Sequence, residues 1–136
     1  MKSRIIAVAI IRKGNEILIG KKPENTGPYP NTWHLPGGGI DLEKESCDEA
    51  LAREVLEETG LKIKNICRIA WDTDIENNKK NEPTYYIFLQ FSCDFAGGKL
   101  KAGDDMKHFE WAEIKNLPKY RINKPTKILL SKLGLI

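Results

Sequence analysis

Every position from Ile5 to Ile11 is apolar and most are β-branched, which predicts a strand. Lys13-Gly14-Asn15 reads as a hairpin turn into a second short strand, Glu16 to Gly20, and the two are expected to pair. Pro23, Gly27, Pro28 and Pro30 make 22–31 a loop that leads into the Trp33 segment. Farther along, 63–75 and 85–95 read as two longer strands. The polar stretch Asn77-Asn78-Lys79-Lys80-Asn81 between them is expected to be a mobile hairpin tip. Alternation in the later strand puts Tyr85 and Ile87 on one face and Tyr86 and Phe88 on the other, so at most one of the adjacent tyrosines can face a cleft. Gly97-Gly98 and the segment 102–105 bracket another loop, after which His108 to Ala112 forms a short strand. Ile114 to Leu117 begins a helical turn stopped by Pro118. Pro125 opens a last helix whose apolar face is Ile128, Leu129 and Leu133 and which ends at Gly134. This order of elements predicts an α/β sandwich with a mixed β-sheet.

Helix signals are strong at both ends of 47–59. Ser46 followed by Glu49 is a capping box, Gly60 suits the left-handed position after a helix, and Ala50, Leu51, Ala52 and Arg53 are helix formers. On this helix Glu54, Glu57 and Glu58 stand at i, i+3 and i+4, so three carboxylates are expected to converge on one side of the last two turns. A merely solvated acidic face is the simpler reading. Two features oppose it. Cys47, Ala50 and Leu51 share the angular sector of Glu54 and Glu58, so the acids continue the core-directed side. The charges also sit in the C-terminal half, where the macrodipole disfavours anions and like charges at this spacing repel. A cation would offset that arrangement, and clustered carboxylate oxygens suit Mg²⁺, with Mn²⁺ as a substitute. Such a centre can hold a diphosphate, stabilise charge developing on phosphoryl oxygens and lower the pKa of a water that attacks phosphorus.

Gly37-Gly38-Gly39 could be a phosphate cradle, but no Lys-Ser or Lys-Thr follows, so it is not a P-loop. A strained connection that lets the backbone approach a metal is favoured over a flexible turn. A nucleotide base needs a π-surface, and Tyr29, Trp33, Trp71, Tyr85, Tyr86 and Phe109 are candidates. Most are expected in the core, with Tyr29, in an exposed loop, the freer one. Lys21 and Lys22 could reach a phosphate or simply solvate a strand end. His34 and His108 read as structural hydrogen-bonding groups. Asp104 and Asp105 are candidate loop acids for substrate binding.

At 136 residues, 40% hydrophobic and 30% charged, the chain fits one domain, 1–136, of globular composition. No segment reaches the apolar length of a membrane span, and the Met-Lys-Ser-Arg start lacks a signal peptide's apolar run, so a cytoplasmic location is expected. Cys47, Cys67 and Cys93 form no C-x-x-C pair and read as small buried hydrophobes in a reducing compartment. With 22 basic against 19 acidic residues, a net charge of +3 gives no reason to expect nucleic acid as a partner.

Gly39, Glu45, Arg53-Glu54-Val55, Glu57-Glu58 and Gly60-Leu61 fall at the spacing G-x5-E-x7-R-E-U-x-E-E-x-G-U, with U a bulky aliphatic, and no position departs from it. The segment resembles the Nudix box, and Trp33-His34-Leu35-Pro36-Gly37-Gly38-Gly39 is similar to the entry of its MutT-like members. The resemblance implies a Nudix-type α/β/α sandwich with the box as a loop-helix-loop. It also implies hydrolysis of a pyrophosphate bond in a nucleoside diphosphate linked to a further group X. By the same resemblance Glu54 and Glu58 would be metal ligands, Glu57 a ligand to a further metal or its water, and the Gly38 carbonyl a backbone ligand. Arg53 would orient the carboxylates, and Glu45 would be a secondary acidic position serving metal or structure. The general base is Glu54, or else Asp104 or Asp105. The expected substrate is a small-molecule nucleotide, a nucleoside or deoxynucleoside triphosphate. ADP-ribose or another nucleotide sugar is the alternative, disfavoured because the first proline after Gly60 is as far away as Pro83. A non-catalytic nucleotide-binding regulatory module is the reading of another class, and a homodimer is left open.

Overall fold

The computed structural model describes residues 1–41, 43–101 and 108–136. Seven strands, β1 (Lys2–Lys13), β2 (Glu16–Lys21), β3 (Trp33–His34), β4 (Gly37–Gly39), β5 (Leu61–Asn77), β6 (Pro83–Gly98) and β7 (His108–Glu113), join in one sheet. Two helices accompany them, α1 (Cys47–Thr59) and α2 (Lys124–Lys132), with a 3₁₀ segment at Ile114–Lys119. The first hairpin forms as expected: Arg12 lies opposite Ile17 and Lys13 opposite Glu16, and Gly14 takes the positive φ of 61° that the two-residue turn requires. β1 then runs parallel to β6, from Lys2 beside Thr84 to Arg12 beside Asp94, whereas β5 pairs β6 and β7 pairs β2 antiparallel. The sheet is therefore mixed.

Period-two alternation splits the apolar residues between its faces. Ala7, Ala9, Ile11 and Leu18 pack with Phe91 and Cys93 under Leu51 and Val55 of α1. Ile10, Ile17 and Ile19 take the opposite face, with Leu117 and with Leu129 and Leu130 of α2. One helix on each face gives the α/β/α sandwich. The face of α2 is Leu129 and Leu130, continuing Pro125 and Thr126 one turn earlier; Ile128 and Leu133, expected inward, are exposed. Pro118 lies inside the 3₁₀ segment rather than ending it.

Two further expectations are corrected. Cys67 is exposed and Cys47 half-buried, leaving Cys93 as the buried thiol. Trp71 and Tyr85 lie on the solvent side of the β5–β6 ribbon, not in the core. The tip between these strands is tied by Asn78, whose side-chain oxygen accepts the N–H groups of Lys80 (2.9 Å) and Glu82 (3.0 Å).

Candidate active site

α1 is fixed at both ends. Ser46 Oγ accepts the Glu49 N–H (3.2 Å), the Glu49 carboxylate accepts the Ser46 N–H (3.0 Å), and Gly60 closes the helix at φ 79°. Its buried side is Ala50, Leu51, Val55 and Thr59, and beside that stripe the helix meets β4. The triglycine segment is a strand, paired through Ile6↔Gly39, Ala7↔Gly38 and Val8↔Gly37. Strain is confined to Gly37, at φ 150°, where a Cβ would run into the Ala7 carbonyl oxygen. At Gly38 the neighbour is a side chain: a Cβ would overlap the Glu54 carboxylate, 2.5 Å from its Cδ and 3.1 Å from its Cγ.

Arg53 is the hub of the acidic cluster. It donates to Glu45 through Nε (2.8 Å) and Nη2 (2.6 Å), to Glu54 (2.9 Å) and Glu57 (3.2 Å) through Nη1, and at 3.4 Å to the Gly39 carbonyl. Those hydrogen bonds hold the Glu45 carboxyl down at about 2 and raise the already high pKa of Arg53 further.

The three carboxylates do not all gather at one point: Arg53 draws Glu54 and Glu57 together, and Glu54 is also the one that meets Glu58 at the cavity. Glu54 and Glu58 line a cavity, and the Gly37 N–H donates to Glu58 (3.2 Å). Glu57 turns to Arg53 and stays 60% exposed. The 100° step explains the split: Glu57 lies about 40° from Arg53 around the helix but about 100° from Glu58. Among the described residues no three His, Cys, Asp or Glu side chains stand close enough to form a metal cage.

The cavity encloses about 470 Å³ on the α2 side of the sheet. Ile6, Val8, Leu35, Tyr29, Tyr86 and Phe88 give it an apolar and aromatic lining. Tyr29 is not exposed. It is buried against Tyr86 and Phe88, and its hydroxyl donates to Asp74 at 2.6 Å. Burial, and then the carboxylate beside it, push the phenol pKa upward. Lys22 lines the cavity, whereas Lys21, one residue earlier and so on the other face, donates to the Asn31 carbonyl (3.2 Å) and lies over Trp33. His34 is buried, donating from Nδ1 to the Leu35 carbonyl (2.8 Å) with its ring edge-on to Phe109. Asp104 and Asp105 lie outside the described residues.

Sequence reasoning missed Asn123 and Thr126 at the start of α2, Arg4 on β1, and the hairpin tip, all of which line the cavity. The available signal was alternation in β1, where Lys2 and Arg4 share a face with Ile6 and Val8. Asn123 also caps α2, its side-chain oxygen accepting the Thr126 N–H at 3.0 Å.

Hard carboxylate oxygens beside a backbone freed of side chains suit a divalent cation, and the space a Cβ would fill at Gly38 is what lets Glu54 stand there. An acidic helix set against a glycine strand, beside a cavity with aromatic walls, is suited to hold a cation next to a ligand that has an aromatic ring. The model of the NUDIX domain matches residues 1–133, and the chain belongs to the Nudix family. It is 30% identical, over 142 aligned positions spanning all of both chains, to the nucleoside triphosphatase NudI of Klebsiella pneumoniae. It is 38% identical over 112 positions to the ADP-ribose pyrophosphatase of Methanocaldococcus jannaschii, an alignment covering 81% of this chain and 62% of that one. The fold matches a MutT NUDIX hydrolase from Burkholderia pseudomallei with a TM-score of 0.78 at 22% identity, covering 96% of this chain and 98% of the other. The protein is thus a Nudix hydrolase acting on nucleoside diphosphates linked to a further group. Divalent metal ions are general in this family. Among the described residues no helix is long and apolar enough to cross a membrane.

Proposed function

We propose that the protein is a Mg²⁺-dependent pyrophosphohydrolase that converts a nucleoside or deoxynucleoside triphosphate to the monophosphate and pyrophosphate. The observation that carries the reading is the presentation of Glu54 and Glu58, past a strand without side chains, into a cavity lined by Tyr29, Tyr86 and Phe88. The full-length match to a relative named a nucleoside triphosphatase supports it over the shorter match to an ADP-ribose pyrophosphatase.

In this reading the Glu54 and Glu58 carboxylates and the Gly38 carbonyl hold the ion, with Glu57 serving a further ion or its water. The ion, when bound, supplies positive charge to the phosphoryl oxygens and a water acidic enough to attack phosphorus. Glu54 takes the proton from the attacking water; Asp104 or Asp105 is the alternative base. Arg53 acts indirectly: by holding Glu45, Glu54 and Glu57 at once, it removes their rotational freedom and offsets their mutual repulsion before substrate arrives. The aromatic lining supplies a face for the base and excludes water from it. We place the protein in the cytoplasm, with a homodimer as the open alternative to a monomer.

Chromatographic product analysis at saturating Mg²⁺ on a panel of triphosphates, ADP-ribose and dinucleoside polyphosphates tests the assignment. Monophosphate plus pyrophosphate formed fastest from a triphosphate is the expected result. Faster release of ribose phosphate from ADP-ribose would overturn it.

A further inference from the structure

We propose that Arg4, assisted by Lys79 and Lys80, is the anion-binding group that makes this pocket select a triphosphate over a less charged nucleotide sugar; the inference rests on the triphosphate reading above. Along β1 the side chains of Lys2, Arg4, Ile6 and Val8 all line the cavity. Val8 lies opposite Gly37 and Ile6 opposite Gly39, so Arg4 starts one two-residue step, about 7 Å, beyond the end of the glycine strand. Its guanidinium folds back over that strand. Nη2 lies 2.8 Å and Nε 3.1 Å from the point where a Cβ on Gly39 would be, so any side chain at 39 would displace it. The cation is thereby parked next to the glycine whose neighbour, Gly38, abuts the Glu54 carboxylate.

Two other cations nearby are already engaged. Arg53 is spread over three carboxylates, and Lys2 is paired with Glu82 at 2.9 Å. Arg4, among the described residues, has neither an ion pair nor a side-chain hydrogen bond. It neighbours Tyr86, where its charge works against the rise that burial imposes on the phenol. A planar fork of donors at the wall of a phosphate-cleaving site matches two phosphoryl oxygens in a way an ammonium cannot.

The hairpin tip brings further positive charge to the same cavity. The Lys2–Glu82 pair, with Asn78 Nδ2 donating to the same Glu82 oxygen (3.3 Å), fastens the tip to β1 and leaves Lys79 and Lys80 lining the mouth. Five basic side chains line the cavity against three acidic ones, among the described residues, and Glu82 is already matched by Lys2. That surplus favours the more highly charged triphosphate over a nucleotide sugar.

The test is steady-state kinetics on the full chain with wild type, Arg4→Ala, Arg4→Lys and the Lys79→Ala/Lys80→Ala double variant. Lys64→Ala, which removes an exposed charge on β5 away from the cavity, is the control. Arg4→Ala should raise KM for the preferred triphosphate at least about tenfold, the loss expected for a charged hydrogen bond, and KM for ADP-ribose less than about threefold. Arg4→Lys should fall between wild type and Arg4→Ala, and the effect should shrink in high salt. Equal changes for both substrates, or none, would overturn the proposal. Should wild type cleave ADP-ribose and no triphosphate, the triphosphate reading fails on its own. The anion subsite is then decided by inorganic tripolyphosphate as an inhibitor: its Ki must rise at least about tenfold in Arg4→Ala, and an unchanged Ki refutes the site.

Discussion

Neighbouring glycines should fail in opposite ways when each is replaced by alanine. At Gly38 the new methyl would land on the Glu54 carboxylate, the far end of a flexible side chain that can swing away. The backbone there is not in the left-handed region, so alanine is tolerated and folding stability should change by no more than about 1 kcal/mol. The peptide carbonyl also survives the substitution, leaving the displaced Glu54 as the change. A shift of about 1 Å in a reacting group costs roughly 10²-fold in rate, and that loss is expected in turnover. At Gly37 the same methyl meets the Ala7 carbonyl oxygen and the Val8 Cα (2.8 Å), in backbone that cannot give way, and φ is 150°. Strain and overpacking together should destabilise the fold by roughly 3 kcal/mol, a drop in Tm of about 10 °C for a domain of this size. Thermal unfolding and triphosphate turnover measured on the two purified variants separate these cases. A Gly38→Ala protein with wild-type turnover, or one melting as early as Gly37→Ala, would refute the argument that this glycine exists to seat Glu54.

Glu54→Gln and Glu57→Gln should each lower kcat at least about 10²-fold, because each removes a charge from a site built around metal or base; near-normal turnover in Glu57→Gln would mean that its carboxylate serves Arg53 alone. Glu45 has its pKa lowered from 4.5 to about 2, chiefly by hydrogen bonds from Arg53, so its pairing stabilises the fold in full above about pH 4.5 and is lost as pH falls toward 2. The gap in denaturant midpoint between wild type and Glu45→Gln should therefore be constant near neutrality and close in acid, and a gap that ignores pH would contradict the pairing. Burial pushes the Cys93 thiol up to about 12 while Cys67 is exposed, so a thiol reagent at pH 8 should label Cys67 in the native protein and reach Cys93 after unfolding; mass spectrometry of the labelled peptides reads the order.

What the chain discloses in advance divides by the range of the interaction. The helix 47–59 could be placed from its ends because the capping box and Gly60 act within four residues of the groups they satisfy. The hairpin at Gly14 is equally local. The parallel pairing of β1 with β6 joins residues some eighty positions apart, and no nearby signal announces it. Yet that pairing places Arg4 beside Tyr86 and Ile6 beside Phe88, and so makes one wall of the cavity. Tyr29 misled for the same reason: its loop is rich in proline and glycine, as exposed loops are, but β5 and β6 supply Asp74, Tyr86 and Phe88 to bury it. The acidic helix shows the limit within a single element. Spacing puts Glu54, Glu57 and Glu58 within reach of one another, but Arg53 bonds both Glu54 and Glu57, and of that pair only Glu54 lines the cavity with Glu58. A cation held by Glu54 and Glu58, as proposed above, would compete with that guanidinium for Glu54 and Glu57. On that proposal, replacing Arg53 by alanine should weaken the enzyme in a way that excess Mg²⁺ partly restores, whereas the loss in Glu54→Gln persists at any metal concentration.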